Sequence, residues 1–100
     1  MEQQSFEWDE TKAALNLRKH GISFADAALV FDDPLVFSRQ DRIENGEQRW
    51  QSIGMVGTTL LLVAHTTRLE ESDAGETVEV IRIISARQLD RKERRFYEHR

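Results

Sequence analysis

The chain has 100 residues, of which 39% are hydrophobic and 32% charged, with a net charge of -4 and no cysteine. That length fits one domain, residues 1–100, and the lack of thiols excludes disulfides and thiolate-held metals. The balance of apolar and charged residues argues against a disordered chain, and the longest apolar stretch, Leu60 to Ala64, is far too short to span a membrane.

The acidic opening MEQQSFEWDE has neither the basic nor the apolar region of a signal peptide, so the expected location is the cytoplasm, with no membrane partner. The charge is unevenly spread. Residues 32 to 79 carry ten acids against four bases, whereas residues 80 to 100 carry seven bases against three acids. Such a distribution disfavours general coating of nucleic acid but leaves a basic C-terminal segment available to an anion.

In chain order, Ser5 to Trp8 reads as a short strand. Asp9 is placed to cap a helix that runs to about His20 and stops at Gly21, with Ala13, Ala14 and Leu17 as its apolar stripe. Ser23 and Asp26 form a capping-box pattern for a second helix through Phe31, closed by the DDP of residues 32 to 34. From Leu35 the period shifts toward two, predicting strands near 35–40, 49–54, 59–67 and 77–85, the last two in the middle of an antiparallel sheet. Asp90 and Glu93 open a basic terminal helix, DRKERRFYEHR, which Phe96 would hold to the rest. The result is an α+β order of β-α-α-β-β-β-β-α, with an antiparallel sheet, two early helices and one basic late helix.

His20, His65 and His99 have no metal-ligand spacing and no HExxH is present, so neither a metal nor another cofactor is implied. Arg82 interrupts the aliphatic run VEVIRIIS and Arg87 follows it; cations so placed either pair with acids or meet an anionic ligand. His65, near the end of LLLVAHTT and on one strand face with Thr67, either exchanges a proton or is hydrogen-bonded within the sheet. Lys19 and His20 at a helix end complement its dipole or contact a phosphate. Glu47 and Arg49, two apart in a strand, share a face as an ion pair or as a base beside a cation. Arg87, Arg91, Arg94 and Arg95 gather charge near Tyr97, forming either a solvated face or a grip on phosphates or an acidic partner.

The stretches FEWDETKAALNLRKHGISFADAALVF, GEQRWQSIG, LLLVAHTTR and VIRIISARQLDRKERRFYE, in that order, cover nearly all of the chain. Together they resemble the BrnT family, the toxin half of a type II toxin-antitoxin pair. The resemblance implies a fold like that of the RelE-like ribonuclease toxins and an activity that cleaves RNA and so inhibits translation. It also implies neutralisation by a BrnA-type antitoxin with a ribbon-helix-helix domain, operator DNA being reached only through that complex. The acidic stretch between Arg68 and Thr77 is longer than a minimal hairpin turn, which affects a loop and not the resemblance.

The expected chemistry is metal-independent: the 2′-hydroxyl of RNA attacks its adjacent phosphate, giving a cyclic phosphate and a free 5′-hydroxyl. Arg82 and Arg87 are the candidates for phosphate stabilisation, with Lys19, Arg49, Arg91 and Arg94 as further anion contacts. Glu47, His20, His65 and Tyr97 are the candidates for proton transfer. The competing reading is a noncatalytic module that binds RNA or protein.

Overall fold

The computed structural model describes residues 3–99. The elements are β1 (Gln3–Glu7), α1 (Glu10–His20), α2 (Phe24–Ala28), a 3₁₀ segment (Leu29–Asp32), β2 (Phe37–Glu44), β3 (Glu47–Val56), β4 (Thr59–Glu71), β5 (Thr77–Gln88) and α3 (Arg91–Glu98). The five strands form one sheet in the order β1-β5-β4-β3-β2. Strands β2 to β5 are an antiparallel meander, but β1 lies parallel to β5, from Gln3 beside Val78 to Glu7 beside Arg82. The sheet is therefore mixed, which corrects the purely antiparallel expectation. The local pattern of β1 is the same for either direction; its pairing is set by the path of the chain through both helices to the far edge.

The meander follows its turn residues. Asn45 (φ 53°) and Gly46 (φ 79°) both have positive φ between β2 and β3, the requirement of a tight hairpin whose twist matches its strands. The long strands β4 and β5 extend past their predicted ends to Glu71 and Gln88, because cross-strand pairing continues to Glu71 opposite Thr77 beside the turn and to Gln88 opposite Leu61 at the other end.

Asp9 caps α1, its Oδ1 accepting from the N–H groups of Thr11 (2.8 Å) and Lys12 (3.2 Å), and Gly21 ends the helix at φ 71°. The apolar stripe differs from expectation: Leu17 is 52% exposed, and the buried residue of α1 is Asn16. The cause lies in the sheet. β1 stops opposite Arg82, so the outer edge of β5 is open beyond it. Asn16 closes that edge at Ala86, donating to the Ala86 carbonyl (2.8 Å) and accepting from the Ala86 N–H (3.1 Å). Its Nδ2 also donates to the Ile22 carbonyl (3.0 Å). A buried backbone left unpaired there would cost about 1–3 kcal/mol per group.

Ser23 caps α2 by accepting from the Asp26 N–H at 3.0 Å, yet the α-helix ends at Ala28 and tightens into the 3₁₀ segment before Phe31. The change of pitch keeps Phe24, Ala27 and Val30 on the sheet, where they bury Leu61, Val63, Ile81, Ile83 and Ala86. Gly54 of β3 admits this close approach, since a Cβ there would stand 2.9 Å from the Val30 carbonyl oxygen. The opposite face of the sheet has a smaller cluster of Ile53, Leu60, Leu62 and Leu89, with Tyr97 of α3 against it. Phe96 is 51% exposed but packs edge-on to Phe37, with ring centres 5.7 Å apart. The short α3 covers one end of that face and leaves the remainder open.

Candidate nucleic-acid interface

Arg82 and Arg87 are five residues apart, an odd spacing that in a regular strand would send them to opposite faces. A β-bulge in β5 reverses that outcome. Ala64 of β4 pairs with Ser85 and His65 with Ile83, so Ile84 is the extra residue. Beyond it Arg87 pairs with Leu62, while before it Arg82 pairs with Thr66. Leu62 and Thr66 are four apart on β4, so both arginines project from the open face, their Cα atoms about 13 Å apart at ~3.3 Å per residue. Between them the floor is made of the small side chains of Ala64 and Ser85, paired with each other.

Arginines from the other strands share this face. Arg39 of β2 donates from Nε to Gln51 (2.9 Å), Arg49 of β3 pairs with Glu44 (3.0 Å), and Arg68 of β4 pairs with Glu7 (2.8 Å) and Glu70 (3.1 Å). Glu7 also accepts from Arg82 at 2.9 Å. Arg87 grips Glu93 with both terminal nitrogens, at 2.7 and 2.9 Å. Glu93 in turn completes the cap of α3, its Oε1 accepting from the Asp90 N–H (2.9 Å) while its own N–H donates to Asp90 (2.8 Å). The predicted capping box at Asp90 and Glu93 is thus present, and it is tied to the sheet by Arg87.

The hydrogen bonds from Arg68 and then Arg82 hold the Glu7 carboxyl down to about 2, well below its ordinary 4.5. The hydrogen bond from Arg87, the Asp90 N–H and the charges of Arg87 and Arg39 do the same for Glu93, also to about 2, against the opposing effect of burial. Arg87 is raised by its bond to Glu93. Of these arginines Arg49, Arg68, Arg82 and Arg87 are each matched by a carboxylate. A phosphate meeting this strip of arginines would compete with Glu7 for Arg82 and with Glu93 for Arg87.

The strip continues around the open edge of β5. Lys12, Lys19 and His20 of α1 border a shallow cleft of about 220 Å³ together with Asn16, Ile84 and Ser85. Lys19 is exposed and His20 half-buried. The structure therefore brings Arg82, Arg87, Lys19 and His20 around one segment of β5. Arg49 stands two strands away on the same face and is bonded to Glu44, not to Glu47. Glu47 is exposed at the start of β3, in register with Glu44. Arg91 and Arg94 are exposed on α3, and Tyr97 donates to Asp33 at 3.3 Å beside the small apolar cluster. Sequence reasoning did not select Arg39, Arg68 or Glu7; Arg68 closes the run LLLVAHTTR, but the pairing that joins it to β1 has no local signal.

His65 is not with these groups. It lies on the helix-facing side of the sheet with Val63, 4% exposed, and its Nε2 is 2.7 Å from the Ser52 hydroxyl. Burial lowers its pKa, offset in part by the Thr66 carbonyl and the charge of Glu79. Phe31 packs edge-on to the ring, centres 5.0 Å apart.

A family described as the ribonuclease toxin BrnT of type II toxin-antitoxin systems matches residues 8–93. The chain belongs to the BrnT family. The matched segment includes both arginines, the bulge between them, the α1 cations and Glu93 at the start of α3. Comparison with curated proteins finds no match. As a BrnT-family toxin the chain is the ribonuclease half of a toxin-antitoxin pair, which implies an antitoxin partner. Among the described residues no helix is long and apolar enough to cross a membrane.

Proposed function

We propose that this toxin is a metal-independent endoribonuclease acting in the cytoplasm on single-stranded RNA, with the open face of the sheet as its RNA surface. The observation that supports it most is the bulge at Ile84, which puts Arg82 and Arg87 on one open face around a floor of small residues. A backbone phosphate above Ala64 and Ser85 would draw Arg82 from Glu7 and Arg87 from Glu93, exchanging charge-assisted bonds to carboxylates for bonds to phosphate. Guanidinium groups on both sides would then stabilise the extra charge that builds on phosphorus. Lys19 would hold the strand along the β5 edge, with Arg49, Arg91 and Arg94 as outer contacts.

The reaction is transesterification: the 2′-oxygen bonds to phosphorus, the bond to the 5′-oxygen breaks, and the products are a 2′,3′-cyclic phosphate and a 5′-hydroxyl. His20 takes the 2′-hydroxyl proton in this reading, because among the candidate proton carriers it lies in the cleft that reaches Ser85. The leaving oxygen receives a proton from solvent. Glu47 and Tyr97 have no part in it, and His65 is on the other face. We further infer that cleavage inhibits translation, that the sheet and helices are arranged as in RelE-like toxins, and that a BrnA-type antitoxin with a ribbon-helix-helix domain neutralises the toxin and carries it to operator DNA.

The test is cleavage of a defined end-labelled RNA in EDTA, with Arg82→Ala and Arg87→Ala proteins beside the wild type and the product ends identified. Cyclic phosphate formed by the wild type and lost in both folded variants supports the reading. Binding of RNA without turnover would instead favour a noncatalytic module, and full activity in both variants would remove the arginines from the mechanism.

A further inference from the structure

On the helix-facing side of the sheet, away from the arginines, a pocket of about 250 Å³ opens beside the 3₁₀ segment. Phe31 and Trp50 give it aromatic walls, Val36 and Ile81 an apolar surface, and Glu79 of β5 a carboxylate. Glu79 is half-buried near the start of β5, beside the edge strand β1, held by Gln4 Nε2 on one oxygen and by the Thr67 hydroxyl on the other, both at 2.9 Å. Among the described residues no lysine or arginine forms an ion pair with it, whereas Glu7, Glu44, Glu70 and Glu93 each have an arginine.

The polar groups of this pocket have a common polarity. His65 Nδ1 lies 3.3 Å from the Thr66 carbonyl, which can only accept, so the proton sits on Nδ1 and Nε2 accepts from Ser52. Ser52, its proton committed to His65, accepts from Ser38 at 2.7 Å. The Ser38 oxygen therefore faces the pocket with free lone pairs. Thr67 and the Gln4 amide nitrogen have likewise turned their donors toward Glu79. Lone pairs and a carboxylate predominate along the walls, which disfavours a phosphate or carboxylate ligand.

We propose that this pocket binds a guanidinium or ammonium group on a short apolar stem, with the cation between Glu79 and the aromatic walls and the stem along Val36 and Ile81. Such a group has donors and no acceptors, so it matches the exposed lone pairs, and the faces of Trp50 and Phe31 add cation–π attraction. The volume accommodates one such side chain and excludes a whole nucleotide. The site is separate from the RNA surface and does not rest on the proposed nuclease chemistry.

The experiment is a heteronuclear NMR titration of the full chain with agmatine, with acetyl-Gly-Arg-Gly-amide, and with the citrulline version of that peptide. The Trp50 indole and His65 ring resonances should shift with the two cations, and citrulline should bind at least tenfold more weakly. Tighter binding of the arginine peptide than of agmatine would assign the site to a protein side chain, and the reverse order to a free small cation; either supports a cation site. Glu79→Gln, whose side-chain oxygen can still accept from Gln4 while its amide nitrogen donates to the Thr67 hydroxyl, should lose at least tenfold in affinity while keeping a folded spectrum. Should that variant unfold, Ser38→Ala provides the second reading, with a loss of about threefold expected. No shift with either cation, or equal binding of arginine and citrulline, would overturn the proposal.

Discussion

Replacing Asn16 by Asp preserves shape and tests the link between α1 and the edge of β5. The Asn16 amide donates to the carbonyls of Ile22 and Ala86 and accepts from the Ala86 N–H, within a site where the residue is 7% exposed. A carboxylate keeps the acceptor but places negative charge against two carbonyl oxygens. Losing both donated bonds and burying an unpaired charge should destabilise the variant by about 3–5 kcal/mol near neutral pH. With about 4–8 °C per kcal/mol for a domain of this size, the Tm should fall by roughly 12 °C or more. The buried Asp has its pKa raised by desolvation, so the protonated form, which can donate to a carbonyl, is favoured in the folded state. A raised folded pKa gives stability that is present at low pH and lost as pH rises through it. The deficit relative to wild type should therefore be smaller at pH 5 than at pH 8, by about 1–2 kcal/mol. Asn16→Ala, with nothing to titrate, should show a deficit that does not change between those pH values. Urea unfolding of the three proteins at both pH values decides the matter. A wild-type stability for Asn16→Asp at pH 8, or an equal deficit at both, would refute the reasoning.

Other expectations follow from the same geometry. Gly54→Ala sets a Cβ 2.9 Å from the Val30 carbonyl oxygen and should cost about 1–3 kcal/mol, read as a lower Tm; an unchanged Tm would mean that the 3₁₀ segment shifts freely over β3. Glu93, with its carboxyl held at about 2 in the folded protein, contributes stability that is full above the ordinary carboxyl value of 4.5 and is lost as pH falls toward 2. Arg87→Ala should remove most of that acid sensitivity, seen as a flatter dependence of unfolding free energy on pH between those limits, and the same slope in both proteins would count against the pair. His65→Phe should lower stability by stranding Ser52, yet retain cleavage within about threefold when assayed on the folded protein, since its ring lies on the far side of the sheet. His20→Ala should reduce cleavage at least a hundredfold with little change in RNA affinity, the loss general-base catalysis produces; comparable losses in binding and rate would make it a phosphate contact.

Much of the fold was legible from local chemistry. Asp9 and Gly21 bound α1, Asp90 and Glu93 open α3, and Asn45-Gly46 joins β2 to β3, because each depends on backbone groups within a few residues. Alternating apolar residues located the four meander strands for the same reason, and the spread of matching segments along the chain carried the resemblance to BrnT toxins, which the family match over residues 8–93 bears out. The tertiary structure alone decided which groups meet. The parallel seat of β1 brings Glu7 to Arg82 across 75 positions of sequence, and Asn16 reaches Ala86 across 70. The extra residue at Ile84 brings Arg87 to the face of Arg82, where strand periodicity would have parted them, and leaves His65 on the other side. Caps and turns are short-range and readable in one dimension, whereas the face on which a strand residue stands depends on register, and one extra residue within its own strand is enough to reverse it.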